Sequence, residues 1–176
     1  MVSKYAILVY MKNLAFIDAQ NLYLGTAKTA PAWKIDMARF RVLLKQRYGV
    51  DTAYYFIGVY DKKHKDLYNS FSSAGYELVF REHYGAQAST KKGNVDNDII
   101  FAIMKMLCEE ENFDKIVLVS SDGDYKRLVD YLIEKGRLLK VLFPNRRYAS
   151  SLYNRIENGY RDYLDAPHLR GKIEIR

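Results

Sequence analysis

A chain of 176 residues is long enough for one domain with a substantial core, and 49% hydrophobic with 28% charged residues is an ordinary globular balance. No stretch approaches the roughly 18 apolar residues of a membrane-spanning helix, and a single cysteine, Cys108, excludes an intrachain disulfide and a cysteine-rich zinc site. The formal charge of +7 favours a polyanionic partner.

The segment Tyr5–Tyr10 is apolar but lacks a small-residue cleavage site, so it does not read as a signal peptide and a cytoplasmic location is expected. Residues 1–11 read as an extra edge strand or as an extension upstream of Met11. The first clear strand is Leu14–Asp18. Lys34–Tyr48 carries Ile35, Phe40, Leu43 and Leu44 near helical spacing. Thr52–Val59 is a strand rich in β-formers, Lys63–Ala74 a polar surface helix stopping near Gly75, and Glu77–Phe80 a short strand. Asp96–Glu109 is a helix with Ile99, Ile100, Ile103, Met104 and Leu107 on one face, and Cys108 is expected to pack within it. Lys115–Val119 is a strand. Tyr125–Lys135 is a helix with Leu128, Val129, Leu132 and Ile133 inward, and Gly136 ends it. Leu138–Phe143, ended by Pro144, reads as the last clear strand. The alternating Lys172–Ile175 suits pairing with a sheet edge. Strands alternating with helices predict an α/β fold with a central, mainly parallel sheet of about five strands and helices on both faces. The core spans about 12–165, with a tail over 166–176.

Four aspartates stand where strands end or helices begin. Asp18 closes Leu14–Ile17, with Asn21 three residues on. Asp96 opens a helix on the same face as Ile99 and Ile100, so it points along the sheet. Asp122 and Asp124 follow Ile116–Val119 and flank Gly123, which is expected to permit unusual backbone angles. Each has a bland reading: Asp18 as a turn cap, and Asp96 or Asp124 as an N-cap. Jointly they gather at one edge of a parallel sheet, where ligands bind. Carboxylates brought together repel one another unless a hard cation such as Mg²⁺ or Mn²⁺ lies between them. Asn21 either holds its turn, orients Asp18 or offers a ligand oxygen. Asp98, about 200° around the helix from Asp96, and Ser121, a hydrogen-bond donor beside Asp122, are reserve members.

Basic residues flank this edge. Lys91 and Lys92 lie in the long loop from Arg81 to Asn94, and Arg146 and Arg147 follow the last strand. Arg155 and Arg161 continue the series, interleaved with Tyr148, Tyr153, Tyr160 and Tyr163. Cations among aromatics suit single-stranded nucleic acid, whereas the same tyrosines also suit packing. No P-loop, GxGxxG turn or nucleophile elbow is present, and His64, His83 and His168 form no helical metal pair.

In Phe16-Ile17-Asp18-Ala19-Gln20-Asn21-Leu22, Lys92-Gly93-Asn94-Val95-Asp96 and Val119-Ser120-Ser121-Asp122-Gly123-Asp124-Tyr125, the chain resembles the NYN-domain family, LabA-like members of the PIN-like ribonuclease superfamily. Order and spacing match from about Leu14 to Leu164; Ala19-Gln20 stand where many relatives have glycine before the asparagine. The resemblance implies a PIN-like Rossmannoid α/β/α fold. It also implies an acidic pocket of Asp18, Asp96 and Asp122, with Asp124 and Asn21 alongside, binding Mg²⁺ or Mn²⁺ for RNA cleavage, and a homodimer. Lys91, Lys92, Arg146 and Arg147 are expected to hold RNA phosphates. The alternative is a non-catalytic RNA-binding module. A phosphatase of the haloacid-dehalogenase type requires a second aspartate two residues after the first, which Asp18-Ala19-Gln20 lacks. A topoisomerase-primase-like site requires glutamate where Asp18 stands.

Overall fold

The computed structural model describes residues 12–81 and 95–175. Six strands form one all-parallel sheet: β1 (Asn13–Asp18), β2 (Val50–Ile57), β3 (Tyr76–Phe80), β4 (Ile116–Val119), β5 (Leu138–Phe143) and β6 (Arg161–Tyr163), ordered β3-β2-β1-β4-β5-β6. The helices are α1 (Ala19–Thr26), α2 (Met37–Tyr48), α3 (Lys65–Ser73), α4 (Val95–Cys108), α5 (Lys126–Glu134) and α6 (Pro167–Ile173). The expected three-layer Rossmannoid architecture is therefore present. Among the described residues no helix is long and apolar enough to cross a membrane.

Side chains alternate across a strand, so each strand feeds two cores. Ala15, Ile17, Val117, Val119 and Leu142 face Leu22 of α1, Phe40, Leu43 and Leu44 of α2, and Leu169 and Ile173 of α6, with Phe71 of α3 at the margin. Leu14, Phe16, Ile116, Leu118, Val141 and Phe143 face Ile99 and Ile103 of α4 and Leu128, Val129 and Leu132 of α5. The near-continuous apolar runs of β1 and β4 follow from burial on both faces.

The strand count exceeds the five read from sequence. The sixth strand, β6, has three residues, two of them charged, and pairs with β5 at the sheet edge. It carries no apolar run to announce it. Its Asp162 accepts the Tyr48 hydroxyl at 2.8 Å, tying it to the end of α2. The tail is a second departure. Leu169 and Ile173 lie four apart and bury one helical face, and Arg170 pairs with Glu174 at 2.6 Å on the next turn. Helical spacing thus prevails over the alternating Lys172–Ile175 pattern; an isolated antiparallel bridge, Ile35 to Glu174, is the edge pairing that remains. Cys108 is exposed rather than packed. Gly136 ends α5 as expected, adopting φ +64. Residues 1–11 and the Arg81–Asn94 loop beyond Arg81, with Lys91, Lys92 and His83, lie outside the described residues.

Helix α1 begins at the residue after β1, with no loop between them. Its buried Gly25 presses against the end of β5: an added Cβ would stand 2.6 Å from Pro144 Cβ, on a rigid ring. Gly25→Ala is expected to destabilise the fold by about 1–3 kcal/mol through overpacking. Urea unfolding followed by far-ultraviolet circular dichroism checks this, read as a lower midpoint at constant slope.

Candidate metal centre

The reversal of strand order between β1 and β4 opens a crevice at their C-terminal ends. Ile17 pairs with Val119, so Asp18 and the Ser120–Asp124 turn leave the sheet side by side. Asp18 shares the parity of Leu14 and Phe16 and so turns to the α4/α5 face. Asp96, in the first turn of α4, shares the face of Ile99 and Ile103 and reaches the same place from above.

Asp96, Asp122 and Asp124 each present one carboxylate oxygen, all within 4.8 Å of one another. Two unit charges about 5 Å apart repel by about 1 kcal/mol in water and about 3 kcal/mol at an effective dielectric near 20. The turn holding Asp122 and Asp124 is fixed from several sides. Asp122 caps it, its Oδ1 accepting the Asp124 N–H at 3.0 Å, while the Asp122 N–H donates to Ser120 Oγ at 3.1 Å. The cap is therefore Asp122, not Asp124, whose carboxylate is left exposed. Tyr153, fully buried, donates its hydroxyl to the Asp122 carbonyl at 2.6 Å. Gly123 has no positive φ; its role is close approach, since a Cβ there would meet Ser150 Oγ at 2.7 Å and Leu152 Cδ1 at 3.0 Å. Glycine lets the segment after β5 pack over the turn.

Asp18 lies outside the three-carboxylate group, one step deeper, and is 4% exposed. Its Oδ1 accepts the Asn21 N–H at 2.9 Å, capping α1. Its Oδ2 is 3.2 Å from the Tyr125 hydroxyl, which donates to Asp96 Oδ1 at 2.7 Å. A phenol has one proton for these two carboxylates. Burial, and then the nearby charge of Asp96, push the Asp18 carboxyl up to about 6, against the lowering effect of the Asn21 N–H. The Tyr125 hydroxyl bridges the two carboxylates, and the Asp18 side chain also meets that of Asp96 directly, a contact that favours a proton on Asp18. Burial also pushes the Tyr125 hydroxyl well up, followed by the charge of Asp18.

Asn21 acts as a latch: its Oδ1 accepts the Ser121 N–H at 2.7 Å, tying α1 to the aspartate turn. Its oxygen is thus engaged in that bond. The Ser121 hydroxyl is buried with no partner among the described residues. Asp98 lies 3.9 Å from Arg81, around the helix from the site. Arg146 stacks on Tyr163 of β6, its guanidinium 4.2 Å from the ring centre, and Arg147 stands 5.9 Å over the exposed Tyr148. Of the tyrosines read as stacking platforms, Tyr153 is core, Tyr163 packs on Phe143, and Tyr148 stands open. Tyr125 escaped the sequence reading as a site residue; a hydroxyl in register with the apolar stripe of Leu128, Val129 and Leu132 was the available signal.

The donor set is three carboxylate oxygens from two segments, with no nitrogen or sulfur. That chemistry suits a hard divalent ion of the Mg²⁺ or Mn²⁺ kind.

Comparison with known proteins agrees with this architecture. The chain is 24% identical over 168 residues to the low amplitude and bright protein LabA of Synechococcus elongatus, covering 90% of this chain and 86% of that protein. It superposes on a crystal structure of a protein of unknown function from Vibrio parahaemolyticus with a TM-score of 0.68 at 18% identity, over 99% of this chain and 100% of that one. The family model of the NYN domain matches residues 13–160. The chain, with its six-stranded parallel sheet and aspartate-lined crevice, belongs to the NYN-domain family.

Proposed function

We propose that this protein is a divalent-metal-dependent endoribonuclease that hydrolyses RNA phosphodiesters at the Asp96–Asp122–Asp124 site. The observation that carries the reading is the convergence of three carboxylate oxygens within 4.8 Å at the switch point of the sheet. A Mg²⁺ or Mn²⁺ ion bound there supplies charge neutralisation at the phosphate and acidifies a water molecule.

The chain's own residues do the rest. Asp96, Asp122 and Asp124 would hold the ion. Tyr125 aims Asp96 by donating to its Oδ1, and Asp18 stands behind it, reached by the same hydroxyl. Asn21 and Tyr153 lock the aspartate turn, so its carboxylates do not reorganise when phosphate arrives. Arg147 supplies positive charge beside the crevice. Arg146, drawn over Tyr163, is positioned for a more distant phosphate. Membership of the NYN family favours RNA as substrate, and the exposed tyrosine and arginine pair favours single strands.

Incubating the full chain with end-labelled single-stranded RNA in Mg²⁺, Mn²⁺ or EDTA tests this. Internal cleavage in either metal and none in EDTA is expected. Intact RNA in both metals, with the protein folded and retaining RNA on a gel, would replace the nuclease reading with that of a binding module.

A further inference from the structure

Beside the carboxylates lies a groove of about 380 Å³ whose walls include Asn21, Leu24 and Lys28 of the α1 segment, Ser121 and Asp122 of the aspartate turn, and Tyr148 after β5. We propose that this groove is a subsite for one unpaired nucleotide adjoining the scissile phosphate, with Tyr148 as its stacking platform. This rests on the ribonuclease reading above.

Four observations converge on it. Tyr148 and Leu24 are each 50% exposed, large apolar surfaces lining one groove. Such a groove suits a flat ring, and base–aromatic stacking tolerates any base because each has a π-face. The Arg147 guanidinium stands over the same tyrosine, and Lys28, exposed on the α1 wall, leans over Tyr23, so the rim is basic where a phosphate would lie. Asn21 lines the groove with its oxygen committed to the Ser121 N–H, so what it can offer an occupant is its Nδ2 donors. Asp122 belongs to both the groove and the carboxylate group, so the groove adjoins the proposed reaction site.

The shape of the groove is built in. Gly25 is among its lining residues, and its contact with Pro144 sets how closely α1 approaches the segment carrying Tyr148. A stacking subsite reads the ring and not the base edge. It therefore demands an unpaired nucleotide next to the cleavage point without imposing a sequence.

The test separates this subsite from the nuclease activity. In EDTA, the full chain is titrated with a short single-stranded RNA, by anisotropy, and with the same RNA carrying 2-aminopurine at successive positions. Wild type is expected to bind and to quench 2-aminopurine at one position. Tyr148→Ala is expected to weaken binding roughly tenfold and remove that quench, whereas Tyr148→Phe keeps both. Lys28→Ala is expected to weaken binding and flatten its salt dependence while the quench persists at saturation. Unchanged affinity and quench in Tyr148→Ala would overturn the subsite, as would absence of binding by wild type. The Tyr148 effect with no cleavage by wild type in Mn²⁺ supports the subsite while overturning the nuclease reading alone.

Discussion

Asp122→Asn and Asp96→Asn are each expected to lower RNA cleavage by at least about 10²-fold, since even groups that merely orient a metal ligand are worth about 10–100-fold. Asp122→Asn is the cleaner of the two. Asparagine keeps an Oδ1 to accept the Asp124 N–H, so the cap survives, and the Tyr153 bond goes to the backbone carbonyl and is untouched. What changes is one negative charge of three. Apparent affinity for Mn²⁺, followed by titration calorimetry, should fall with the rate, and the thermal midpoint in EDTA should hold or rise as repulsion is relieved. Wild-type cleavage rates in a folded Asp122→Asn protein would exclude Asp122 from the site. Asp96→Asn keeps an oxygen for the Tyr125 hydroxyl but turns that charge-assisted bond into a weaker neutral one, so it carries an added structural cost.

Asp18→Asn is expected to stabilise the metal-free protein at neutral pH while lowering activity. The Asp18 carboxyl rises from an ordinary 3.8 to about 6 in the folded chain, by burial first and the Asp96 charge second. Between those values the native state binds more protons than the unfolded state, so stability falls as pH rises through this window. Above it, the ionised, buried carboxylate costs on the order of 3 kcal/mol. Asparagine imitates the protonated form: its oxygen accepts the Asn21 N–H and its Nδ2 donates to Tyr125, leaving Tyr125 to serve Asp96. In EDTA at pH 7.5 the variant should melt several degrees above wild type, at about 2–4 °C per kcal/mol for a domain of this size. The difference should vanish below about pH 4, where wild-type Asp18 is protonated in both states. A variant less stable than wild type at pH 7.5 would show that the carboxylate is instead stabilised in the fold. The activity loss tests a trade-off common at functional sites, where a group is held in a state that favours chemistry over stability.

The sheet was legible because its strands are buried on both faces, so Leu14–Ile17, Ile116–Val119 and Leu138–Phe143 are short apolar runs between turns. The amphipathic stripes of α4 and α5 were legible for the corresponding reason in helices. Two elements hid. The first, α1, has no loop before it, because Asp18 both ends β1 and caps the helix, and Leu22 is its one buried large side chain. The other, β6, is a polar edge strand held by backbone pairing with β5. The basic and aromatic tail region was legible as composition but not as geometry: Tyr153 and Tyr148 lie five residues apart, one in the core and one open to solvent.

By itself, the sequence determined the alternation of strands and helices, and with it the arrival of Asp18, Asp96, Asp122 and Asp124 at one edge of the sheet. Local rules suffice for that, since apolar periodicity and strand-end position act within one segment. The tertiary structure alone decided how the four divide. It placed three oxygens in one group and set Asp18 behind them, joined to Asp96 through a tyrosine 107 residues away in the chain. It also turned Asn21 into a latch on Ser121 and Gly123 into a point of close packing, and brought Tyr148 and Leu24 to one groove. Those assignments depend on which side chains meet across separate βα units. Strand order and the packing of α4 and α5 on one face fix that, and no pattern within a single segment contains it.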